Sequence, residues 1–509
     1  MFGDECVGKM LDWLHDCHEN HELCNSRVST GLPSRLLHVA LKDTGGGRSL
    51  LMTQLEDTDP TRSYRYAALS HVWANSTPLR TTRENLDHHR DHIPPGELSE
   101  VIIQTIYLAH HLGIPYLWID SLCIVQDDRD DWEREFPRMG MIYGNAYVTF
   151  AAHGPDLYVR KTAAEPIRDP FHPDDPPVYC REEISHAYVF SKPSSTASWF
   201  GRAWCMQERL FSPRLLHFWA EEEEIVFECD THARCECSRI PADKSSLKAR
   251  AARELLRARD AGDDDDDDDA AKTRDDLWQL YVEASQDYTA RGITIADDTL
   301  PAVASFAREL APYLGRYYAG LWEHNFLLSL QWEAHDTCTS RRHNTYIAPS
   351  WSWASRSGPV VWYLGTDATP NPDTHHFAEL LEVVCVPAGK DPFGAVSSGH
   401  VKLRGYFTEM RIKDKTKHYP DDRLEMVGSD GVESCYVTLD TIEELDEIQE
   451  GQRIVCLDVM RDRAGSKEYV SGLVLLPAEG REGSYRRIGF STMLAAHFVG
   501  SPLEEVVIV

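Results

Sequence analysis

Carboxylates, thiols and imidazoles recur in this sequence at spacings that bear on chemistry. Glu135 lies in a helix-like stretch whose apolar face is Trp132, Phe136, Met139 and Tyr143. At about 100° per residue it falls on the border of that face, while Glu133 lies further round and Arg134 points to solvent. A carboxylate turned toward the protein body can stabilise positive charge developing on a substrate, the demand met in glycoside hydrolysis. It serves equally well as a salt bridge or helix cap, and both readings stay open. Pro137 removes a helical hydrogen bond unless it sits in a first turn, so a kink or a late helix start is expected there.

Asp120 ends an apolar run and can bond the amides of the next loop or contact a ligand. Ser70, His71, Cys123 and Glu208 suggest a Ser or Cys hydrolase by residue type alone. No Gly-x-Ser-x-Gly elbow surrounds Ser70, and Cys123 follows a strand too apolar to activate a thiolate. Cys17, His21 and Cys24 share one helix face, and Cys229, Cys235 and Cys237 form a second cluster with His232. Zinc takes four ligands at paired short spacings, and neither cluster supplies a Cys-x-x-Cys pair, so no metal is expected.

These residues need elements to position them. Tyr66 to Trp73 reads as a buried strand. Leu98 to Leu112 has helical spacing, with Ser99 to cap it and Gly113 to end it. Ile114 to Asp120 and Ala146 to Ala152 read as further strands with a second helix between. Strand–helix–strand–helix–strand with continuous apolar strands implies an α/β fold with a parallel sheet covered on both faces. Ligands bind such sheets beyond the carboxyl ends of the strands, where His71, Trp73 and Asp120 fall.

Before this lies a lead-in segment, residues 1–60, with an apolar stretch around Met10 to Leu14 and a strand near Leu36 to Leu41. Thr44 to Gly47 lacks the Lys of a phosphate loop and reads as a hairpin turn. Residues 221–276 read as loop and acidic disordered insertion, because seven consecutive aspartates, Asp263 to Asp269, repel one another and bury nothing. Residues 277–370 are helical in pattern, with Trp351, Trp353 and Trp362 as core or interdomain anchors. Period-two alternation over 371–509 indicates a mostly β domain, sandwich or barrel.

Lys and Arg number 52 against 82 Asp and Glu, a formal charge of −30, which repels a phosphate backbone and excludes nucleic acid as an expected partner. The 13 cysteines are odd in number and scattered, and no secretory leader is evident, which fits a reduced, cytoplasmic protein. No apolar run approaches the roughly 20 residues of a membrane span.

Several motifs then occur in a characteristic order. Ala68-Leu69-Ser70-His71-Val72-Trp73 comes first, then Thr81 to Leu86, then Leu112-Gly113-Ile114-Pro115-Tyr116-Leu117-Trp118-Ile119-Asp120-Ser121-Leu122-Cys123-Ile124. Gln126 to Asp128, Asp131-Trp132, Glu135 and Ile142 to Ala146 follow, and Arg202-Ala203-Trp204-Cys205-Met206-Gln207-Glu208-Arg209-Leu210 closes the set. This stretch resembles the fungal heterokaryon-incompatibility (HET) domain, with Ala74 and His71 where the family usually shows Gly and Tyr. The segments Tyr288 to Thr294, Asp297 to Val303, Ala319 to Trp322 and Pro349 to Ser355 resemble the usual downstream region.

The resemblance implies a HET domain over 61–220 and a HET-associated helical region over 277–370. It also implies a role in heterokaryon incompatibility, as effector or regulator of programmed cell death after non-self recognition. HET domains have been likened to TIR domains, which share a parallel sheet flanked by helices and in several cases hydrolyse NAD⁺. Asp131-Trp132-x-x-Glu135 is similar to the surroundings of the TIR catalytic glutamate. On that likeness Glu135 is the candidate catalytic residue, and Ser70, His71, Trp73, Asp120 and Cys123 are the candidate substrate-binding residues. NAD⁺ enters as a substrate and no cofactor is expected. The alternative is a non-enzymatic signalling or self-association module with a protein partner.

Overall fold

The structure, a computed structural model, describes all residues except 1–3, 27–30, 44–48, 73–78, 155, 158–165, 168–177, 180–198, 220–223, 237–245, 262–267, 363–374, 377, 415–423, 429–433 and 465–466. The chain divides into two compact units, Met1–Leu256 and Arg257–Val509.

The first unit opens with helix α1 (Asp4–Asn20), which buries Met10, Trp13, Leu14 and Cys17. That i, i+3, i+4, i+7 spacing is what an amphipathic helix needs to cover a core. A single turn, α2 (Glu22–Asn25), follows. Strands β1 (Arg35–Asp43) and β2 (Ser49–Asp57) pair antiparallel, while the turn expected at Thr44 to Gly47 lies outside the described residues. Next come β3 (Tyr66–His71), α3 (Leu86–Asp91), α4 (Glu100–His111), β4 (Tyr116–Trp118), α5 (Asp120–Cys123), α6 (Arg129–Glu135), α7 (Met139–Asn145) and β5 (Val148–Ala152). After a short ribbon of β6 (Pro166–Ile167) and β7 (Val178–Tyr179) come α8 (Ala203–Phe211), β8 (Arg214–Trp219), β9 (Glu224–Cys229), β10 (Ala233–Cys235) and α9 (Leu247–Ala261).

Local chemistry sets the boundaries. Ser99 takes the extended cap conformation before α4, and Gly113 adopts φ +68° after it, a left-handed geometry that an L side chain resists. Pro137 sits in a 3₁₀ turn, Phe136–Arg138, so the expected interruption separates α6 from α7.

Eight strands form one sheet in the order β10-β9-β8-β5-β3-β4-β1-β2. Only the middle four are parallel: β3 pairs with β4 and β5, and β5 with β8. The parallel sheet expected from sequence is thus the centre of a mixed one. β2 runs antiparallel to β1, β9 to β8 and β10 to β9 because each pair is joined by a connection too short for a parallel crossover, and β1 also lies antiparallel to β4. Alternate residues face opposite sides. Ala67, Leu69, Val148, Phe150, Leu216 and Phe218 join α1 and α4 in the main core. Ala151 and Leu215 pack with Trp199, Phe200 and Cys205 on the other face.

Residues 221–276, read as loop and insertion, contain β9, β10 and α9. The apolar run in β9 is short, and the buried face of α9 consists largely of alanines, Ala249, Ala251, Ala252 and Ala258, which carry little hydrophobic signal. Of the aspartate run, Asp263 to Asp267 lie outside the described residues, and α10 (Asp268–Thr289) begins at the next position.

In the second unit, α10 and α11 (Pro301–Leu314) precede a tryptophan-rich core in which Trp322, Trp332, Trp351 and Trp353 are fully buried. Trp353 donates to the Gly320 carbonyl at 2.9 Å and Trp332 to the Trp351 carbonyl at 2.9 Å, so these rings anchor the fold. The strands that follow close on themselves. Val396–Asp414 pairs with both Leu424–Gly428 and Arg453–Ala464, and Cys435–Leu439, Ser484–Leu494 and Lys467–Pro477 complete the ring. The interior is apolar, with Met410, Met426, Val437, Ile454 and Ile488 inside. Of the two expected forms, sandwich and barrel, this is a barrel.

Candidate functional site

The four parallel strands lie in the order β4-β3-β5-β8, so the chain leaves β3 toward one side and later returns to its other side through β5. In sheets of this kind ligands bind where the winding reverses, beyond the carboxyl ends of the strands. Ser70 and His71 end β3, His153 follows β5, and Asp120 opens α5 just beyond β4.

Glu208, on α8, completes the cluster. The Ser70 hydroxyl donates to its carboxylate and accepts from Trp199 Nε1 at 2.6 Å. The Tyr143 hydroxyl also reaches that carboxyl. Burial pushes the Glu208 carboxyl up to about 7, outweighing the Ser70 hydrogen bond and the charge of Arg202, which both favour the ionised form. Arg202 itself donates to the His71 carbonyl at 2.8 Å. Burial lowers the His71 imidazole, against the pull of Asp120 and with the help of Arg202, so it is neutral at pH 7. The cluster therefore holds a carboxyl that titrates near neutrality, the property a general acid or base requires.

A second buried relay adjoins it. His153 Nε2 and His217 Nδ1 lie 3.0 Å apart, and His217 Nε2 lies 3.1 Å from Glu228. Arg209 grips Glu228 with contacts of 2.7 to 3.2 Å. Burial alone raises the Glu228 carboxyl, but the Arg209 charge and the His217 bond hold it well below its ordinary value. His153 stacks on Trp219 with centroids 4.0 Å apart, and its ring packs beside Trp199, the indole that bonds Ser70.

Among the sequence-derived candidates, Ser70, His71 and Asp120 come together at this end of the sheet. Trp73 lies outside the described residues. Cys123 is fully buried, accepts from the Ile119 amide at 3.4 Å, and has its thiol pushed up to about 12 by burial, which disfavours the thiolate. Glu135 is also fully buried. Ser34 donates to it through its amide at 3.1 Å and through its hydroxyl, and Arg138 lies 3.3 Å away. Beside it Asp131 pairs with Arg35 and accepts from the Val125 amide at 2.8 Å. These bonds tie α6 to the start of β1.

The residue types that suggest a hydrolase do not form a triad here, since Ser70 bonds to the Glu208 carboxyl and an indole rather than an imidazole. His153, His217, Glu228 and Arg202 were missed. His153 was accessible to the same rule that marked His71, since it directly follows a strand. His217 and Glu228 lie inside strands, and only the pairing of β8 with β9 brings them together.

A cavity of about 690 Å³ lined by Arg62, Tyr64, Tyr66 and Asn145 lies at the opposite, amino end of β3. Among the described residues no helix is long and apolar enough to cross a membrane. No curated protein matches the chain, and no solved structure does. Residues 66–208 match the family model described as heterokaryon incompatibility protein (HET), so the segment from the first residue of β3 to Glu208 is a HET domain.

Proposed function

We propose that the chain acts in heterokaryon incompatibility in a filamentous fungus, as an effector or regulator of programmed cell death after non-self recognition. Its HET domain does so by TIR-like cleavage of NAD⁺, in the cytoplasm, with Glu208 in the role that sequence likeness had given to Glu135. The observation that carries the reading is the Glu208 carboxyl, raised to about 7 and bonded by Ser70 at the carboxyl end of the sheet, where its winding reverses. Cleavage breaks the bond between ribose and nicotinamide. The leaving group is already cationic, departs neutral and needs no general acid, while a carboxylate stabilises the oxocarbenium-like charge on the ribose. Water then adds to the ribose carbon, and Glu208 takes its proton. His71, Asp120 and Arg202 surround the reacting centre.

A second reading, a non-enzymatic signalling or self-association module, is favoured by the near closure of the cluster, since Ser70 is 1% and Glu208 8% exposed. Incubating the purified chain with NAD⁺ at several protein concentrations, and following nicotinamide release, separates the two. Release that rises more steeply than protein concentration, and is absent from folded Glu208→Gln, supports cleavage by an assembled form. No release at any concentration supports the module.

A further inference from the structure

Three thiols and one imidazole from distant parts of the sequence meet at one edge of the first unit. Cys17 lies in the last turn of α1, His21 caps α2, Cys24 lies within α2, and Cys229 ends β9. The ligand atoms of these four residues all lie within 4.8 Å of one another. The three cysteines are buried and free of disulfides. The α1–α2 junction is held by the His21 amide, which donates to the Cys17 carbonyl at 3.1 Å. Across from it the β9–β10 turn is closed by the Cys229 amide on the His232 carbonyl at 2.9 Å.

We propose that Cys17, His21, Cys24 and Cys229 form a structural zinc site that clamps the N-terminal helices to the β9–β10 hairpin. The donor set is the first argument. Three soft thiolates with one imidazole select zinc among divalent ions, and four protein ligands leave no open position for catalysis. Geometry is the second. With metal–sulfur bonds of about 2.3 Å and a metal–nitrogen bond of about 2.0 Å, tetrahedral angles set N···S near 3.5 Å and S···S near 3.8 Å. Cys229 Sγ stands 3.5 Å from His21 Nδ1.

The surroundings are the third argument. The His232 amide donates to Cys229 Sγ at 3.4 Å, and Thr231 Oγ1 lies 3.5 Å from Cys24 Sγ, contacts that stabilise coordinated thiolates. Asp16 and His232 bring their own ligand atoms within 4.8 Å of a His21 ring nitrogen, and the His232 ring stands edge-on to it at 4.5 Å. Read separately, each half of the site falls short of four ligands. The fold joins them, with Cys235 buried one strand further on and Cys237 outside the described residues.

The test is metal analysis of the full chain purified under reducing conditions from zinc-supplied cells, together with cobalt substitution. One zinc per chain is expected, and the cobalt form should show the intense visible bands of a tetrahedral site with sulfur-to-cobalt charge transfer. Cys229→Ser should lose the zinc, whereas the exposed Cys338→Ser should keep it. Should Cys229→Ser fail to fold, His21→Cys serves instead, because it preserves four ligands and should retain zinc with a cobalt spectrum shifted toward four sulfurs. Wild-type chain without zinc and without the cobalt bands overturns the site. So does a disulfide between any two of these three cysteines in reductant-free protein, or zinc retained in Cys229→Ser.

Discussion

Replacing Glu208 by Gln keeps the shape of the buried side chain and an oxygen for Ser70 to donate to, and removes only its ability to ionise. In the folded chain the carboxyl stands at about 7 against an ordinary 4.5. Between those values the folded state holds a proton that the unfolded chain releases. The stability Glu208 contributes is therefore fully present below about pH 4.5 and is lost as pH rises through 7. That displacement corresponds to about 3 kcal/mol. The difference in unfolding free energy between wild type and Glu208→Gln should thus move by about 3 kcal/mol in the variant's favour from pH 4.5 to pH 8. Contributions from His71 and other groups common to both proteins cancel. The assay is urea denaturation of the full chain across that range, with pulse-labelling hydrogen exchange at one fixed pH to follow peptides from β3 and α8. A difference that stays flat with pH would refute the raised carboxyl and, with it, the reading of Glu208 as a group poised to exchange protons near neutrality.

Trp118→Ala should cost about 3 to 5 kcal/mol, because the ring is fully buried and meets Tyr143 edge-on at 5.5 Å; an unshifted melt of the first unit would contradict that packing. Glu135→Gln should destabilise by only about 1 kcal/mol, because Gln keeps an oxygen for Ser34 and the Arg138 head, 35% exposed, is left to solvent, with any nicotinamide release per folded molecule unchanged. In thiol labelling of the native chain Cys338, which is exposed, should react early, and Cys123 only on unfolding, since burial holds its thiol near 12. Arg487→Met should destabilise the second unit by about 3 to 5 kcal/mol, because it strips the partner from buried Asp440 and the cation from the face of Trp332, 3.4 Å away. Denaturation curves compared with wild type check that value.

The parallel strands and α4 were legible because each is a contiguous apolar run or a periodic stretch bounded by local signals such as Ser99, Gly113 and Pro137. Ser70, His71 and Asp120 were legible for a related reason, since strand ends can be read wherever strands can. Glu208 was harder. Its environment is created by Trp199, Tyr143 and Ser70 converging from three separate segments, and nothing within α8 records that convergence. Glu135 shows the converse, since helical projection correctly turned it inward, but burial alone does not say whether the partner is a substrate or, as here, Ser34. The antiparallel flanks and the Cys17–His21–Cys24–Cys229 cluster depend on pairings across the whole first unit. Such contacts leave almost no trace in local spacing.

The most direct test of Glu208 as the functional carboxylate is expression of wild type, Glu208→Gln and Glu135→Gln at matched abundance in a fungal host. Cellular NAD⁺ and viability are then followed together. Wild type and Glu135→Gln should deplete NAD⁺ and kill, while stable Glu208→Gln should do neither. A stable Glu208→Gln protein that still depletes NAD⁺ and still kills would contradict the assignment.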